Sequence, residues 1–321
     1  MIQRTTVIPT AIPRRGKLIL DPFRVEQEVI DFIHKQEPGE WPPHASDMYE
    51  VHAEWVIPPS IDEDYVFYLI HGGAYILGSA QMERNFAYRY GKHSRCKVFA
   101  VSYRLAPQNP YPCGLIDVVS GYLHLLAKYE ANKIVLMGDS AGGGLVLATL
   151  LLLRDMGKPL PAGGLDLTQS RPSLITNAFS DYIPDMPKDS RLGDRVNYYA
   201  PNHLLKVPYV SPYWADDLSN LPPLLIQTGN AEKLHDEICE FSHNLSKIPN
   251  AYITLESYHA HVHVFQMLYF NKGAKVAVKR MAQWIKQITG REASAQTESR
   301  HFKLDHHGNI LITQDFADIT Q

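Results

Sequence analysis

Between residues 66 and 288 the chain alternates short apolar runs with longer stretches whose apolar positions recur at helical spacing. The runs 66–70, 97–103, 134–137, 224–228 and 251–258 read as buried strands. The stretches 81–95, 115–129, 141–156, about 233–247 and 275–288 read as helices. Strands that alternate with helices pair in parallel, because each crossover helix returns the chain to the same end of the sheet. The expected fold is therefore α/β, a mostly parallel central sheet flanked by helices. The 321 residues suffice for one such sheet with a lid.

Two segments interrupt the alternation. Residues 1–50 are proline-rich around one helical stretch at 21–35, and 166–222 are rich in Pro, Asp, Ser and Tyr without a strand pattern. Both read as excursions from the sheet that can join as a lid. The catalytic sheet then takes 51–169 and 216–290. Residues 291–321 form a C-terminal extension with two short strands around Asp305-His-His-Gly308.

Charge and cysteine content narrow the function classes. Lys plus Arg is 31 against 34 for Asp plus Glu, a net charge of −3 without the clustered basic excess that nucleic acid demands. Cys96, Cys113 and Cys239 contain no CxxC pair, so neither a disulfide framework nor a cysteine zinc site is implied. The longest apolar run, 145–153, is far below the ~20 residues of a membrane-spanning helix. With no apolar core of signal-peptide length near Met1, the expected location is cytoplasmic.

The chemistry concentrates in five places. Gly138-Asp-Ser-Ala-Gly142 fits G-x-S-x-G between an apolar strand and a long apolar helix. That context lifts a serine oxygen above the C-terminal edge of the sheet, which makes Ser140 the candidate nucleophile. His71-Gly-Gly-Ala74 closes an earlier strand, and its glycines let backbone N–H groups face a cavity. Gly72, Gly73 and Ala141 are the candidate oxyanion donors, while His71 reads as a structural partner of the loop.

The base is expected after the serine. His259, His261 and His263 alternate past the last strand, and His263 stands farthest along the loop. Alternating histidines on one face also allow a metal site, but no Asp, Glu or Cys lies beside them, so His263 is taken as the base and no metal is expected. After the strand 224–228, Glu232, Asp236 and Glu237 offer three carboxylates. Glu232 leaves the strand first and is favoured to orient His263. Asp236 stays open as the alternative, and both Asp236 and Glu237 also suit a helix first turn. Asp139 is excluded as triad acid, because neighbours on a sharp turn do not reach the same imidazole. Tyr75, Tyr182, Tyr198 and Tyr199 either line a substrate pocket or pack within the lid.

Taken in order, His71-Gly-Gly-Ala, Tyr103-Arg-Leu-Ala-Pro107, Gly138-Asp-Ser-Ala-Gly142, Glu232-x-Leu-x-Asp-Glu237 and His263-Val-Phe resemble the hormone-sensitive-lipase-like α/β-hydrolases, over about 65–289. The Gly-Asn-Ala-Glu form at 229–232 and His-Val-Phe-Gln at 263–266 look closest to the steryl-acetyl-hydrolase-like branch. The resemblance implies hydrolysis of short-acyl carboxylic esters, acetyl esters of sterols or other lipophilic alcohols included. It implies a small-molecule ester substrate, no cofactor, a lid that 1–50 and 170–215 fit, and a homodimer as one available assembly. A non-catalytic binding protein on the same scaffold and an amidase or deformylase using the same triad are the rival functions.

One segment departs from that family's pattern. Where an apolar strand leading into Ser-Pro-Trp normally follows the nucleophile helix, this chain has Gly157-Lys-Pro-Leu-Pro-Ala-Gly-Gly164. Two prolines, three glycines and no β-branched run argue against a central strand. The expectation is a strand truncated near 158–168. Either activity is impaired, or 163–168 fills the slot imperfectly.

Overall fold

The computed structural model describes residues 16–37, 39, 41–167, 196–292 and 298–315. Its eleven strands form one sheet: β1 (Lys17–Leu20), β2 (Phe23–Arg24), β3 (Glu50–Ile57), β4 (Val66–Ile70), β5 (Lys97–Ser102), β6 (Ile134–Asp139), β7 (Gly163–Leu167), β8 (Leu224–Gly229), β9 (Ile253–Tyr258), β10 (Arg300–Leu304) and β11 (Ile310–Asp315). The spatial order is β1-β3-β5-β4-β6-β7-β8-β9-β10-β11, with β2 also on β3. From β5 to β10 every pairing is parallel, and antiparallel strands flank this part, β3 and then β1 on one side and β11 on the other.

Among the described residues six helices of ten or more residues cover the sheet: α1 (Gln27–Gln36), α2 (Ala80–Ser94), α3 (Cys113–Leu126), α4 (Ala141–Asp155), α5 (His235–Ser246) and α6 (Lys272–Ile288). The period-two alternation of the strands divides the core into two faces. Val66, Tyr68 and Ile70 of β4 join Ile134, Leu136, Leu224 and Ile226 against α1, α3, α4 and α5. Phe67 and Leu69 join Val98, Val135, Met137 and Leu225 against α2 and α6. Strands buried on both faces are mostly apolar, which is why β4 and the first four residues of β6 read as unbroken apolar runs.

A short strand occupies the slot, which corrects the reading that 157–164 leaves it without one and agrees with the alternative in which the segment from Gly163 fills it. β7 lies between β6 and β8, with Gly163 opposite Val135, Leu167 opposite Asp139 and Leu165 opposite Leu225. Its glycines are a packing solution. A Cβ on Gly163 would stand 2.5 Å from Ile288 Cδ1 and 2.8 Å from the Trp284 ring, and one on Gly164 would stand 2.8 Å from a Leu224 methyl. Large neighbours fill the volume that β-branched residues occupy in an ordinary central strand. The slot is filled by a short strand, and 157–162 is turn and loop.

Residues 17–24, placed by sequence within the lid, pair with β3 at the edge of the sheet, and the expected helix at 21–35 starts at Gln27. The extension forms the anticipated hairpin, in which Asp305 accepts backbone N–H groups from His307 and Asn309 at the turn. It also adds β10 beside β9, and His259 N donates to Leu304 O at 2.8 Å. The middle of the expected lid, 168–195 with Tyr182, lies outside the described residues.

Candidate active site

Strand β6 turns into helix α4 at Ser140, whose φ of 50° and ψ of −121° are sterically costly for a residue with a side chain. The turn is held by close approach of backbone. A Cβ on Gly142 would lie 2.1 Å from Ile70 O, and one on Gly138 would lie 2.1 Å from the Gly142 carbonyl. Both glycines of the motif are therefore required by space.

Glu232 and His263 reach the serine from the ends of two other strands. Past β9, Val264 takes a left-handed conformation (φ 50°) ahead of the short helical turn Phe265–Met267, which reverses the chain and turns His263 inward. Past β8, Glu232 folds back on its own strand end: Oε1 accepts Gly229 N–H at 2.9 Å and the Thr228 hydroxyl. Its Oε2 lies 2.7 Å from His263 Nδ1, and His263 Nε2 lies 2.9 Å from Ser140 Oγ. A carboxylate only accepts, so Nδ1 carries the proton and Nε2 is left to accept the serine O–H. Glu232 and His263 are both buried.

The other candidates lie elsewhere. Asp236 is fully exposed at the start of α5, 3.0 Å from His235 Nδ1. His261 lies 2.7 Å from His259 O and 3.1 Å from Asn271 Oδ1, and His259 lies 3.1 Å from Asn230 Nδ2, so the three histidines diverge. Among the described residues no group of three or more His, Cys, Asp or Glu side chains could hold a metal ion.

The turn after β4 supplies backbone donors. Gly73, Ala74 and Tyr75 have φ of 113°, 58° and 62°, and among the described residues the N–H groups of Gly73, Ala74 and Ala141 meet no acceptor. Gly72 differs: its N–H donates to Asp139 Oδ1 at 3.0 Å. Ala74 was not singled out by sequence reasoning, although its place directly after the Gly-Gly pair was the available signal. Tyr103 supports the turn from below, its ring stacked on His71 at 4.2 Å and its hydroxyl donating to His71 O at 2.9 Å. Burial pushes the His71 imidazole down to about 4, so it is uncharged. Beside it, burial pushes the Asp139 carboxyl up to about 6, against the stabilising Gly72 N–H and His263. Glu83 of α2 is raised well above the carboxylate range by burial first and by the Asp139 charge second.

Tyr75 stacks on Tyr199 at 3.7 Å between ring centres, which clamps the short helix Val196–Tyr199 onto this turn. Tyr111 N donates to Tyr199 O at 2.7 Å. Tyr198 is largely exposed. No helix among the described residues is long and apolar enough to cross a membrane.

Residues 66–267 match the model of the alpha/beta hydrolase fold family. An acetyl-hydrolase of Streptomyces hygroscopicus is 39% identical over 195 residues, covering 58% of this chain and 62% of the relative. The chain spans about three fifths of the length of the curated relatives it matches. A solved esterase of the bacterial hormone-sensitive lipase family superposes with a TM-score of 0.67 at 31% identity, covering 82% of this chain and 97% of that one. A variant of the esterase E40 does so with the same TM-score at 32% identity, covering 84% and 85%. With the elbow at Ser140, the parallel sheet and the order of its motifs, the chain belongs to the α/β-hydrolase family, in its hormone-sensitive-lipase-like group.

Proposed function

We propose that the protein is a serine carboxylesterase, and the observation that carries this reading is the continuous hydrogen-bonded path from Ser140 through His263 to Glu232. Ser140 Oγ attacks the ester carbonyl carbon while its proton passes to His263 Nε2. The carbonyl oxygen becomes an oxyanion, received by the N–H groups of Gly73, Ala74 and Ala141. Gly72, included among the donors on sequence grounds, is assigned instead to holding the turn through Asp139. Collapse breaks the C–O bond, and Nε2 returns the proton to the departing alkoxide. Water then repeats the sequence on the acyl-enzyme, releasing the acid and Ser140. Glu232 keeps the imidazole in the tautomer this requires and stabilises its transient charge.

The substrate class is a short-acyl ester. The Tyr75–Tyr199 stack beside the oxyanion turn leaves a bulky aromatic wall, and a relative carries the name acetyl-hydrolase. Acetyl esters of lipophilic alcohols are the specific form of the proposal. Hydrolysis of p-nitrophenyl acetate through decanoate, with Ser140→Ala as control, tests it. Turnover of the acetate that disappears in Ser140→Ala supports the reading. Turnover that survives the substitution removes the mechanism, and none by folded protein leaves the binding-protein alternative.

A homodimer through the closing edge of the sheet is also proposed, because β11 exposes Ile310, Leu311 and Ile312 there. Sedimentation of the protein and its Leu311→Lys variant decides it: a monomer in both removes the dimer.

A further inference from the structure

We infer that Asp139 is a positioning residue that ties the two halves of the oxyanion hole together, its ionised carboxylate holding the 72–75 turn against the nucleophile elbow. The inference rests on the serine esterase reading. The hole is assembled from two separate pieces of chain: Ala141 belongs to the elbow after β6, whereas Gly73 and Ala74 belong to the turn after β4. Parallel pairing of β4 with β6 ends with Ile70 opposite Gly138, so beyond that register no ladder bond fixes the two loops. Among the described residues the hydrogen bond that joins them is made by Asp139, whose Oδ1 accepts Gly72 N–H at 3.0 Å. The fit is tight, since a Cβ on Gly72 would lie 2.3 Å from Asp139 Oδ2 and 2.8 Å from Asp139 O. A donor aimed wrongly by a fraction of an ångström loses most of its value to the oxyanion, so the tether acts on the transition state and hardly on the bound ester.

The tether also has a protonation state. The groups around the Asp139 carboxyl are Glu83 and Tyr90 of α2, Tyr103 after β5, His71 and Gly72 of the turn, and His263. Glu83, the tyrosines and His71 are held uncharged by burial, so Asp139 carries the negative charge of this buried group. Protonation near pH 6 weakens its hydrogen bond to Gly72, because an N–H donates more strongly to a carboxylate than to a neutral carboxyl. Two groups must then be deprotonated for full activity, His263 and Asp139.

Asp139→Ala and Asp139→Asn in the full-length protein test this with p-nitrophenyl acetate as the probe. Asp139→Ala is expected to lower kcat by about 100-fold, near the value of one lost oxyanion donor, with KM within about twofold. The inhibition constant of a trifluoromethyl ketone, which forms a tetrahedral adduct, should worsen in parallel. Asp139→Asn retains an oxygen for the Gly72 N–H and should recover at least about a tenth of the wild-type kcat. Between pH 8 and 5 the wild type should lose kcat/KM that Asp139→Asn, which cannot titrate there, keeps, so the ratio of wild-type to Asp139→Asn activity should fall on acidification through about 6. A kcat within threefold of wild type in folded Asp139→Ala overturns the inference. So does a ratio of wild-type to Asp139→Asn activity that stays constant between pH 8 and 5, a result readable even if Asp139→Ala fails to fold. Activity surviving Ser140→Ala would instead remove the underlying esterase reading.

Discussion

Glu232 presents one carboxylate oxygen to His263 Nδ1 at 2.7 Å and the other to the Gly229 N–H at 2.9 Å, so the base is aimed from the end of its neighbouring strand. Asp236, four residues on, points to water. Glu232→Gln is therefore expected to lower kcat by about 10²- to 10⁴-fold while the fold stays intact, because the amide can force the imidazole into the wrong tautomer. Asp236→Asn should stay within about twofold, the usual latitude of an exposed surface change. Steady-state kinetics of the two variants separate the carboxylates, and a larger loss for Asp236→Asn would reverse the assignment.

Arg104 and Asp117 form a buried pair under the Tyr103-Arg-Leu-Ala-Pro107 segment, with Arg104 Nη2 2.7 Å from Asp117 Oδ1 and Arg104 Nη1 2.7 Å from His44 O. Burial pushes the Asp117 carboxyl up to about 6 even with the guanidinium in place. Arg104→Met leaves that carboxylate uncompensated and should cost about 3–5 kcal/mol near neutral pH. The sign of the pH dependence follows from linkage. A folded-state value above the unfolded one means the native state binds more protons, so stability from this group is present at low pH and falls as pH rises through about 6. The Arg104→Met deficit should therefore shrink on acidification from pH 7 to 5. Urea melts at the two pH values check it, and a deficit that grows on acidification contradicts it.

Gly163 of β7 faces Trp284 and Ile288 of α6, with Pro223 O 3.0 Å from the place of its missing Cβ. Gly163→Val should destabilise by about 1–3 kcal/mol through overpacking, although valine is the better strand former. Thermal denaturation reads this directly. A stabilised variant would mean that the strand is under-packed.

Tyr199 is buried and lies flat on Tyr75, while its carbonyl accepts Tyr111 N–H. Replacing it with alanine removes the outer ring of the wall beside the oxyanion turn. Tyr199→Ala should shift the preferred p-nitrophenyl ester towards longer acyl chains, with acetate turnover reduced. An unchanged chain-length profile would place the stack outside the acyl pocket.

How far the fold could be read from sequence depended on how many faces of each strand are buried. β4, β6 and β8 are covered on both faces, so β4 is apolar throughout and β6 and β8 open on apolar runs, Ile134 to Met137 and Leu224 to Ile226, that turn polar only near the C-terminal edge. β1 exposes all four of its side chains at the sheet edge, so no inward pattern marks Lys17–Leu20 as strand. β7 misled for a different reason: its side-chain volume is supplied by Leu150, Leu224, Trp284 and Ile288, and local composition contains no trace of that. Ser140 and His263 could be singled out because each follows a strand in a recognisable order, and they lie 2.9 Å apart. Sequence weighed Asp139 only as a triad acid, since its contact with Gly72 spans 67 positions and exists only once β4 and β6 are neighbours.

The C-terminal hairpin gives the chain's tail a mechanical tie to its chemistry. β10 splints β9, and Leu304 anchors His259 four positions ahead of His263. A free β9 rim would let the loop that carries the imidazole fray, so cleavage or fusion of cargo near residue 298 should reach the reacting bond through the backbone alone. A remote terminus thereby becomes a handle on turnover.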